Sequence, residues 1–518
     1  MELLGIKDLT FAYPGQEPCL SHVNLSIKEG EMLLLLGSSG SGKTTLLKQC
    51  KWELTPCGTR SGEVTYRHQP LEQCSKKVQH FEIGYVFQDP NHQIVTDKVW
   101  HELAFGLENK GLSQTEMELK IAEVANYFGI TDWFRKETDA LSGGQKQILN
   151  LASVLTMDPK IILLDEPTSQ LDPISAKQFL TLLSRIKREL GIAIILTEHR
   201  VDEVMELADQ VMWLEQGMPL FYETTKQAVP FLYEHKPLYL PTVTRITARC
   251  SKEREFPLTL PAAKEALRSL DLPKTIYQPD KVQRKRKKKD AVLLAKDVYF
   301  RYERHQKDQL AGLSFLVEEG ECYALLGGNG SGKTTLLRLL QSMLKPYAGK
   351  IAVKKKIGYL CQDPVFHFTS DLVEEEVRET KETLLQQFGM KELLQKHPYD
   401  LSGGEQERLA LLIVLKDEPD ILLLDEPTKG LDPDNKVQLL KLLKELKQEG
   451  KTIVLVTHDL AFAAEIADTC GLLFDGHIVG ESMTREFFTH NTYYTTVARR
   501  LMKGQQDQVI REDEVVCQ

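Results

Sequence analysis

Two glycine-rich stretches carry the residue types needed to hold a phosphate ester. Gly37, Ser38, Ser39, Gly40, Ser41, Gly42, Lys43, Thr44 and Thr45 follow the apolar run 32–36 and lead into a helical-looking TLLKQC. Gly327, Gly328, Asn329, Gly330, Ser331, Gly332, Lys333, Thr334 and Thr335 repeat that context after the apolar run 322–326. In such a strand–loop–helix setting, glycines let backbone N–H groups turn inward around phosphate oxygens, and a helix N-terminus adds positive potential. The lysine reaches the terminal phosphates and the threonine hydroxyl ligates Mg²⁺. A single Gly-x4-Gly-Lys-Ser/Thr arises by accident in about one or two per cent of chains this long, given glycine near 7% of residues. Two copies in register with other motifs are not an accident.

Each copy adds acids, a histidine and a glutamine. Asp165 and Asp425 end apolar runs, where a carboxylate can hold the Mg²⁺ shell, directly or through water. Glu166 and Glu426 follow, point elsewhere, and are placed to orient or polarise an attacking water. His199 and His458 sit just past another apolar run in the same relative place, which fits a contact to the terminal phosphate. Gln88 and Gln362, in YVFQDP and YLCQDP, stand out only through their matching order in each copy. Tyr13 and Tyr302 are candidates for stacking on a base, with a plain edge-strand aromatic as the competing reading.

Those residues need a scaffold, and the chain supplies it twice. GSSGSGKTTLL returns as GGNGSGKTTLL, LSGG at 141 returns at 401, and IILLDEPTSQLDP returns as ILLLDEPTKGLDP. The second copy is shorter on both sides of its glutamine: Lys43 to Gln88 is 45 residues against 29, and Gln88 to Leu141 is 53 against 39. Short continuous runs such as MLLLL, IILL, IAIIL, CYALL and TIVLV read as strands buried on both faces of a parallel sheet. Longer helical patterns alternate with them, so each copy is predicted to be an α/β layer structure. The expected division is 1–220, a first nucleotide-binding domain; 221–290, a connector thick with prolines and ending in six basic residues, Arg284 to Lys289; 291–485, a second such domain; and 486–518, a tail. The basic run is read as a solvated linker.

The 518 residues, 42% hydrophobic and 27% charged, fall in the globular range, exclude a wholly disordered or collagen-like chain, and predict several compact units. The longest apolar run, Leu409 to Leu415, is too short to span a bilayer, which needs about 20 residues. No secretory signal is visible in MELLGIKDLT, so the cytoplasm is expected. Nine scattered cysteines without a CxxC pair predict reduced thiols, with neither disulfides nor a zinc site. A net charge of −9 gives no whole-chain case for gripping nucleic acid.

Phosphate loop, glutamine, LSGGQ or LSGGE, DEPT, LD and histidine, in that order and twice, resemble the ATP-binding cassette (ABC) ATPases. The resemblance covers most of 1–220 and 290–480. It implies two tandem P-loop domains, each with a mostly parallel core sheet, an antiparallel β subdomain and a helical signature subdomain, that hydrolyse ATP with Mg²⁺. It further implies that Gln88 and Gln362 contact nucleotide and Mg²⁺, that Ser142, Gly143 and Gly144 meet ATP held by the second copy, and that Ser402, Gly403 and Gly404 meet ATP held by the first. Gln88-Asp-Pro-Asn-His-Gln93 with TDKVWHELAFGLEN, and LPTVTRI and PLTLPAAKEAL in the connector, resemble the ATPases of energy-coupling factor (ECF) importers. The second copy's Gln362-Asp-Pro-Val-Phe-His-Phe is read as lacking a partner for Gln93. That narrower likeness implies work at the cytoplasmic face of a membrane, with an integral scaffold protein and a membrane substrate-binding subunit, importing a vitamin such as a thiamine precursor, or cobalt or nickel. The competing reading is a soluble two-cassette translation factor of the ABC-F type acting on ribosomes. It calls for a long charged helical hairpin as connector, which the prolines of 221–290 fit poorly.

Overall fold

A computed structural model describes residues 2–251, 254–270, 272–273 and 291–517. It falls into two compact units, Met1–Pro241 and Thr242–Gln518. The segment expected to be a connector is therefore divided between them. Its first part stays with the first unit, where Tyr239 packs edge-on against Trp213, ring centroids 4.6 Å apart, and Lys236 pairs with Glu215 at 2.6 Å. Its second part joins the second unit. The basic run Arg284 to Lys289 lies outside the described residues.

In the first unit a six-stranded sheet runs in the order Met218–Thr224, Gln210–Glu215, Met32–Leu36, Ala193–Thr197, Ile161–Asp165, Ile83–Val86. All neighbours are parallel except the first pair. Met32–Leu36, Ile161–Asp165 and Ala193–Thr197 are buried at every position, as strands covered on both faces must be. A second, antiparallel sheet pairs Glu2–Ala12 with Pro18–Lys28 and with Thr59–Tyr66, and Thr59–Tyr66 with the short Gln69–Pro70. Its inner face shares a core with the parallel sheet through Leu4, Leu9, Phe11, Leu33 and Leu163. Helices Val99–Lys110 and Gln114–Phe128 pack on the helix Gly143–Thr156, which begins inside LSGG.

The second unit repeats this plan with Ile357–Leu360, Ile421–Asp425, Thr452–Val456, Cys322–Leu326, Thr469–Phe474 and His477–Met483 as its six-stranded sheet. The two shortened stretches of sequence fall where the fold can lose them. Its antiparallel sheet has three strands instead of four. The helices before LSGG shrink to Val373–Glu376 and Glu382–Gln387. His199 stands 34 residues past Asp165 but His458 only 33 past Asp425. Strand register absorbs the difference: Asp165 lies beside Thr197 and Asp425 beside Val456, so each histidine still follows its strand by two residues.

The tail does not stand apart. Val243, Ile246, Ala263 and Leu267, from helices Thr242–Cys250 and Leu260–Arg268, share a core with Ala498, Leu501, Met502 and Val509. Arg245 grips the Glu512 carboxylate through two nitrogens, at 3.0 and 2.6 Å, and Arg249 donates to the carbonyls of Glu512 and Val515. This packing corrects the expectation of free thiols throughout: Cys250 and Cys517, 267 residues apart, are joined in a disulfide. Spacing along the chain could not reveal a pair created by tertiary packing. Seven cysteines, 19, 50, 57, 74, 322, 361 and 470, are free. Alkylation of the purified, denatured protein is expected to label seven cysteines before reduction and nine after; nine before reduction would contradict the pairing.

Candidate functional site

In each unit the loop after the first core strand wraps the amino end of a helix, Lys43–Gln49 or Lys333–Leu340. Gly37, at φ 152°, approaches the opposite strand so closely that a Cβ there would lie 2.3 Å from the Leu214 carbonyl oxygen. Gly327, at φ 157°, meets Leu473 in the same way, at 2.6 Å. Only glycine fits, and the loop closes around its own lysine. Lys43 Nζ donates to the carbonyls of Gly37 and Ser38, both at 2.9 Å, and Lys333 Nζ donates to those of Gly327 and Gly328 at 2.9 and 3.0 Å.

The acids meet this loop from the carboxyl end of the next strand but one, Ile161–Asp165 or Ile421–Asp425. Thr44 Oγ1 donates to Asp165 Oδ1 at 3.0 Å, and Thr197 and Tyr85 donate to the same carboxylate at 3.0 and 3.2 Å. In the second unit Tyr359 OH donates to Asp425 Oδ2 at 3.4 Å, and Thr334 faces the same carboxylate. Glu166 and Glu426 leave their strands with φ of 42° and 54°, a left-handed conformation that turns each carboxylate away from the aspartate before it. Glu166 lies 2.7 Å from His199 Nε2 and accepts from Gln88 Nε2 at 2.9 Å. Glu426 lies 2.8 Å from His458 Nδ1 and 3.8 Å from Lys333 Nζ.

Electrostatics separate the two acids of each pair. Burial, and then the adjacent Glu166 charge, push the Asp165 carboxyl up, with hydrogen bonds from Thr44, Thr197 and Tyr85 opposing. Burial would raise Glu166 too, but His199 and Lys43 outweigh it and hold the carboxyl below its usual range. Glu426 is likewise held down against burial by His458 and Lys333. Each site thus keeps an ionised glutamate beside an aspartate backed by hydroxyls.

A hydroxyl and a carboxylate at the mouth of a loop of inward N–H groups are hard oxygen ligands of the sort Mg²⁺ takes alongside phosphate oxygens. Among the described residues there is no cluster of three or more His, Cys, Asp or Glu that could hold a metal ion. Thr44 with Asp165, and Thr334 with Asp425, are the residues that would hold it.

The remaining predicted residues divide. Ser142 caps its own helix by accepting from Gln145 N at 3.3 Å, and Ser402 donates to Glu405 at 2.7 Å. Gly143 and Gly403 face open space, whereas a Cβ on Gly144 or Gly404 would strike Ser175 or Asn435 of the next helix. Tyr13 and Tyr302 pack edge-on to Phe11 and Phe300, and their hydroxyls meet Thr45 and Thr335 of the phosphate-loop helices at 3.1 and 3.0 Å. Gln362 is exposed and, among the described residues, makes no hydrogen bond to Glu426, unlike Gln88 to Glu166. Gln93 ties down its turn by accepting from Phe87 N and donating to the Tyr85 carbonyl, both at 3.1 Å. The second unit does have a counterpart, contrary to the sequence reading: His367 Nε2 accepts from Cys361 N at 3.2 Å. A histidine was not legible as the equivalent of a glutamine because only the acceptor role is shared.

Sequence reasoning also missed Glu198, buried beside His199. It accepts from the backbone N–H groups of Thr168, His199 and Arg200 at 3.2, 2.7 and 3.3 Å, and from the Thr168 hydroxyl, so it fixes DEPT to the histidine turn. The second unit has Thr457 there, accepting from Asp459 N at 2.9 Å. Its single signal in the sequence was an acid ending an apolar run, IAIILTE.

Comparison with known proteins places this geometry in a family. The model of the family described as ABC transporter matches residues 20–169 and 310–429. A protein of Bacillus thuringiensis, provisionally named an ABC transporter ATP-binding protein, is 41% identical over 96% of this chain and 95% of its own length. YkoD of Bacillus subtilis, provisionally named an HMP/thiamine import ATP-binding protein, is 33% identical over 95% of this chain and 93% of its own. Among solved structures, the archaeal ribosome recycling factor aABCE1, in complex with the stalk protein aP1, superimposes with a TM-score of 0.60 at 22% identity, over 93% of this chain and 91% of that one; this likeness concerns the fold alone.

Removing Glu198 leaves three backbone donors without their acceptor. In Glu198→Ala, hydrogen exchange of peptides containing Thr168, His199 and Arg200 is expected to accelerate about tenfold or more, with the second unit unchanged. Unaltered protection would contradict the bracing role.

Proposed function

The chain belongs to the ABC transporter ATP-binding family and is an ATPase with two cassettes, and from that premise we propose that it is the energy-coupling subunit of an importer of the ECF type. In this reading two ATP molecules lie between the cassettes. Lys43, Thr44, Thr45, Gln88, Asp165, Glu166 and His199 act with Ser402, Gly403 and Gly404; Lys333, Thr334, Thr335, Gln362, Asp425, Glu426 and His458 act with Ser142, Gly143 and Gly144. Tyr13 and Tyr302 stack on adenine. The open space at Gly143 and Gly403 supports an approach by phosphate there.

Mg²⁺, when bound, neutralises charge on the phosphate oxygens. The phosphate-loop amides and lysine bind and orient the triphosphate. Glu166 and Glu426, kept ionised, accept a hydrogen bond from the attacking water, and His199 and His458 contact the terminal phosphate. Serving both cassettes, each nucleotide draws them together, and loss of phosphate lets them part.

The observation that carries the coupling reading is the Gln88–Glu166 hydrogen bond, 2.9 Å. It links the catalytic carboxylate to a turn followed by the exposed apolar side chains of Val95, Trp100 and Phe105. Such a surface suits a helix of an integral scaffold protein, which in turn moves a membrane substrate-binding subunit. In this reading the chain works peripherally on the cytoplasmic face of the membrane. No helix among the described residues is long and apolar enough to cross a membrane; in this reading the span is supplied by the scaffold protein. The ECF-like Gln region and connector, with the likeness to YkoD, favour a vitamin such as a thiamine precursor over cobalt or nickel.

Two experiments test the reading. The full chain is expected to co-purify from detergent-solubilised membranes with integral membrane proteins; sedimentation with ribosomes instead would overturn it in favour of a translation factor. ATP hydrolysis is expected to fall by about a thousandfold or more in the Glu166→Gln, Glu426→Gln double variant, and persisting wild-type activity would contradict the assignment of the glutamates.

A further inference from the structure

The helices that begin in LSGG pack against the turns that follow Gln88 and Gln362. In the first unit Gln147, five residues past Ser142 and fully buried, donates Nε2–H to the Phe87 carbonyl at 3.1 Å. The same position in the second unit, five residues past Ser402, is Glu407, only 5% exposed. Its Oε1 is buried and has no hydrogen-bond partner among the described residues.

Among the described residues no cation balances this carboxyl. Facing it from the turn are Asp363 and the Cys361 thiol, which donates to the Asp363 carbonyl at 3.0 Å and lies 3.3 Å from His367 Nε2. His367 is kept neutral by burial and accepts the Cys361 N–H, so it supplies an acceptor and no charge. On Glu407's own helix, Glu405 is bonded to Ser402, while Arg408 is committed to the Phe388 carbonyl, Asn435 and Gln438. Burial, then the charge on Asp363, push the Glu407 carboxyl well above the usual range. A carboxylate in this place has nothing to donate and meets a like charge. A protonated acid has one O–H donor, enough to replace the single hydrogen bond that the first unit's amide gives to Phe87.

We propose that Glu407 is a positioning residue of the second ATP site that works as a protonated acid, donating to the Cys361 carbonyl as Gln147 does to that of Phe87, and so holding the turn that carries Gln362. The brace of the second unit therefore depends on a proton and that of the first does not. With its pKa raised in the folded state, Glu407 holds the turn at neutral pH and releases it as pH rises through that value.

The inference rests on the reading that the second site hydrolyses ATP, and the experiment has one arm that does not. In infrared spectra at neutral pH, the difference between the full chain and Glu407→Gln is expected to contain a carboxylic-acid C=O band; a carboxylate band in its place overturns the proposal. In the second arm, Glu166→Gln isolates the second site. From neutral to alkaline pH its hydrolysis is expected to fall about fivefold, the loss of one hydrogen bond, and adding Glu407→Gln is expected to abolish that fall while Glu407→Leu lowers the rate at every pH. Superimposable pH profiles for Glu407 and Glu407→Gln overturn the proposal. So does failure of Glu407→Gln to fold, since the amide is the first unit's own solution.

Discussion

Two adjacent carboxylates stand at the end of a buried strand in each unit, where a low dielectric disfavours charge on both. Everything around them resolves that conflict. The glutamate's left-handed backbone swings its side chain off the aspartate's path, so the two acids face different neighbours. Hydroxyls from Thr44, Thr197 and Tyr85 support Asp165, while His199 and Lys43 hold Glu166 ionised. Burial alone would neutralise these groups, and hydroxyls alone would leave no ionised base for water. The parallel sheet places the loop lysine, the acid pair and the histidine on neighbouring strand ends, where a triphosphate can meet all of them.

The units keep this centre and vary its supports. Where the first uses Gln93, Gln147 and Glu198, the second uses His367, Glu407 and Thr457. Each exchange keeps a hydrogen-bonding role and changes its charge or reach. The shared sheet core leaves no comparable latitude, because every position of strands such as Ile161–Asp165 and Ile421–Asp425 is buried. The trimmed helices and missing strand of the second unit lie outside that core.

The central site was legible because its residues are fixed by chemistry at short range. A glycine loop, a lysine and a hydroxyl must sit within one strand–loop–helix unit, so spacing alone exposes them. Paired strands were visible as apolar runs for the same reason. Long-range features were not. The disulfide between Cys250 and Cys517 arises from packing of the connector's helices against the tail, which no local pattern encodes. Glu198 read as an ordinary strand-end acid because its partners are backbone N–H groups, which carry no sequence signature. His367 was overlooked because a glutamine's acceptor can be replaced by a ring nitrogen. The division of 221–290 between the units followed from Trp213 and Tyr239 on one side and a small apolar cluster on the other, contacts between residues far apart in the chain.

The proposed function requires two complete catalytic centres in one polypeptide. Equilibrium dialysis of the Glu166→Gln, Glu426→Gln chain with ATP and Mg²⁺ counts them directly, because the variant retains both phosphate loops. Two ATP bound per chain, falling to one when Lys43→Ala or Lys333→Ala is added, is the predicted result. One ATP or none in the double variant, or two that survive loss of either lysine, would contradict it.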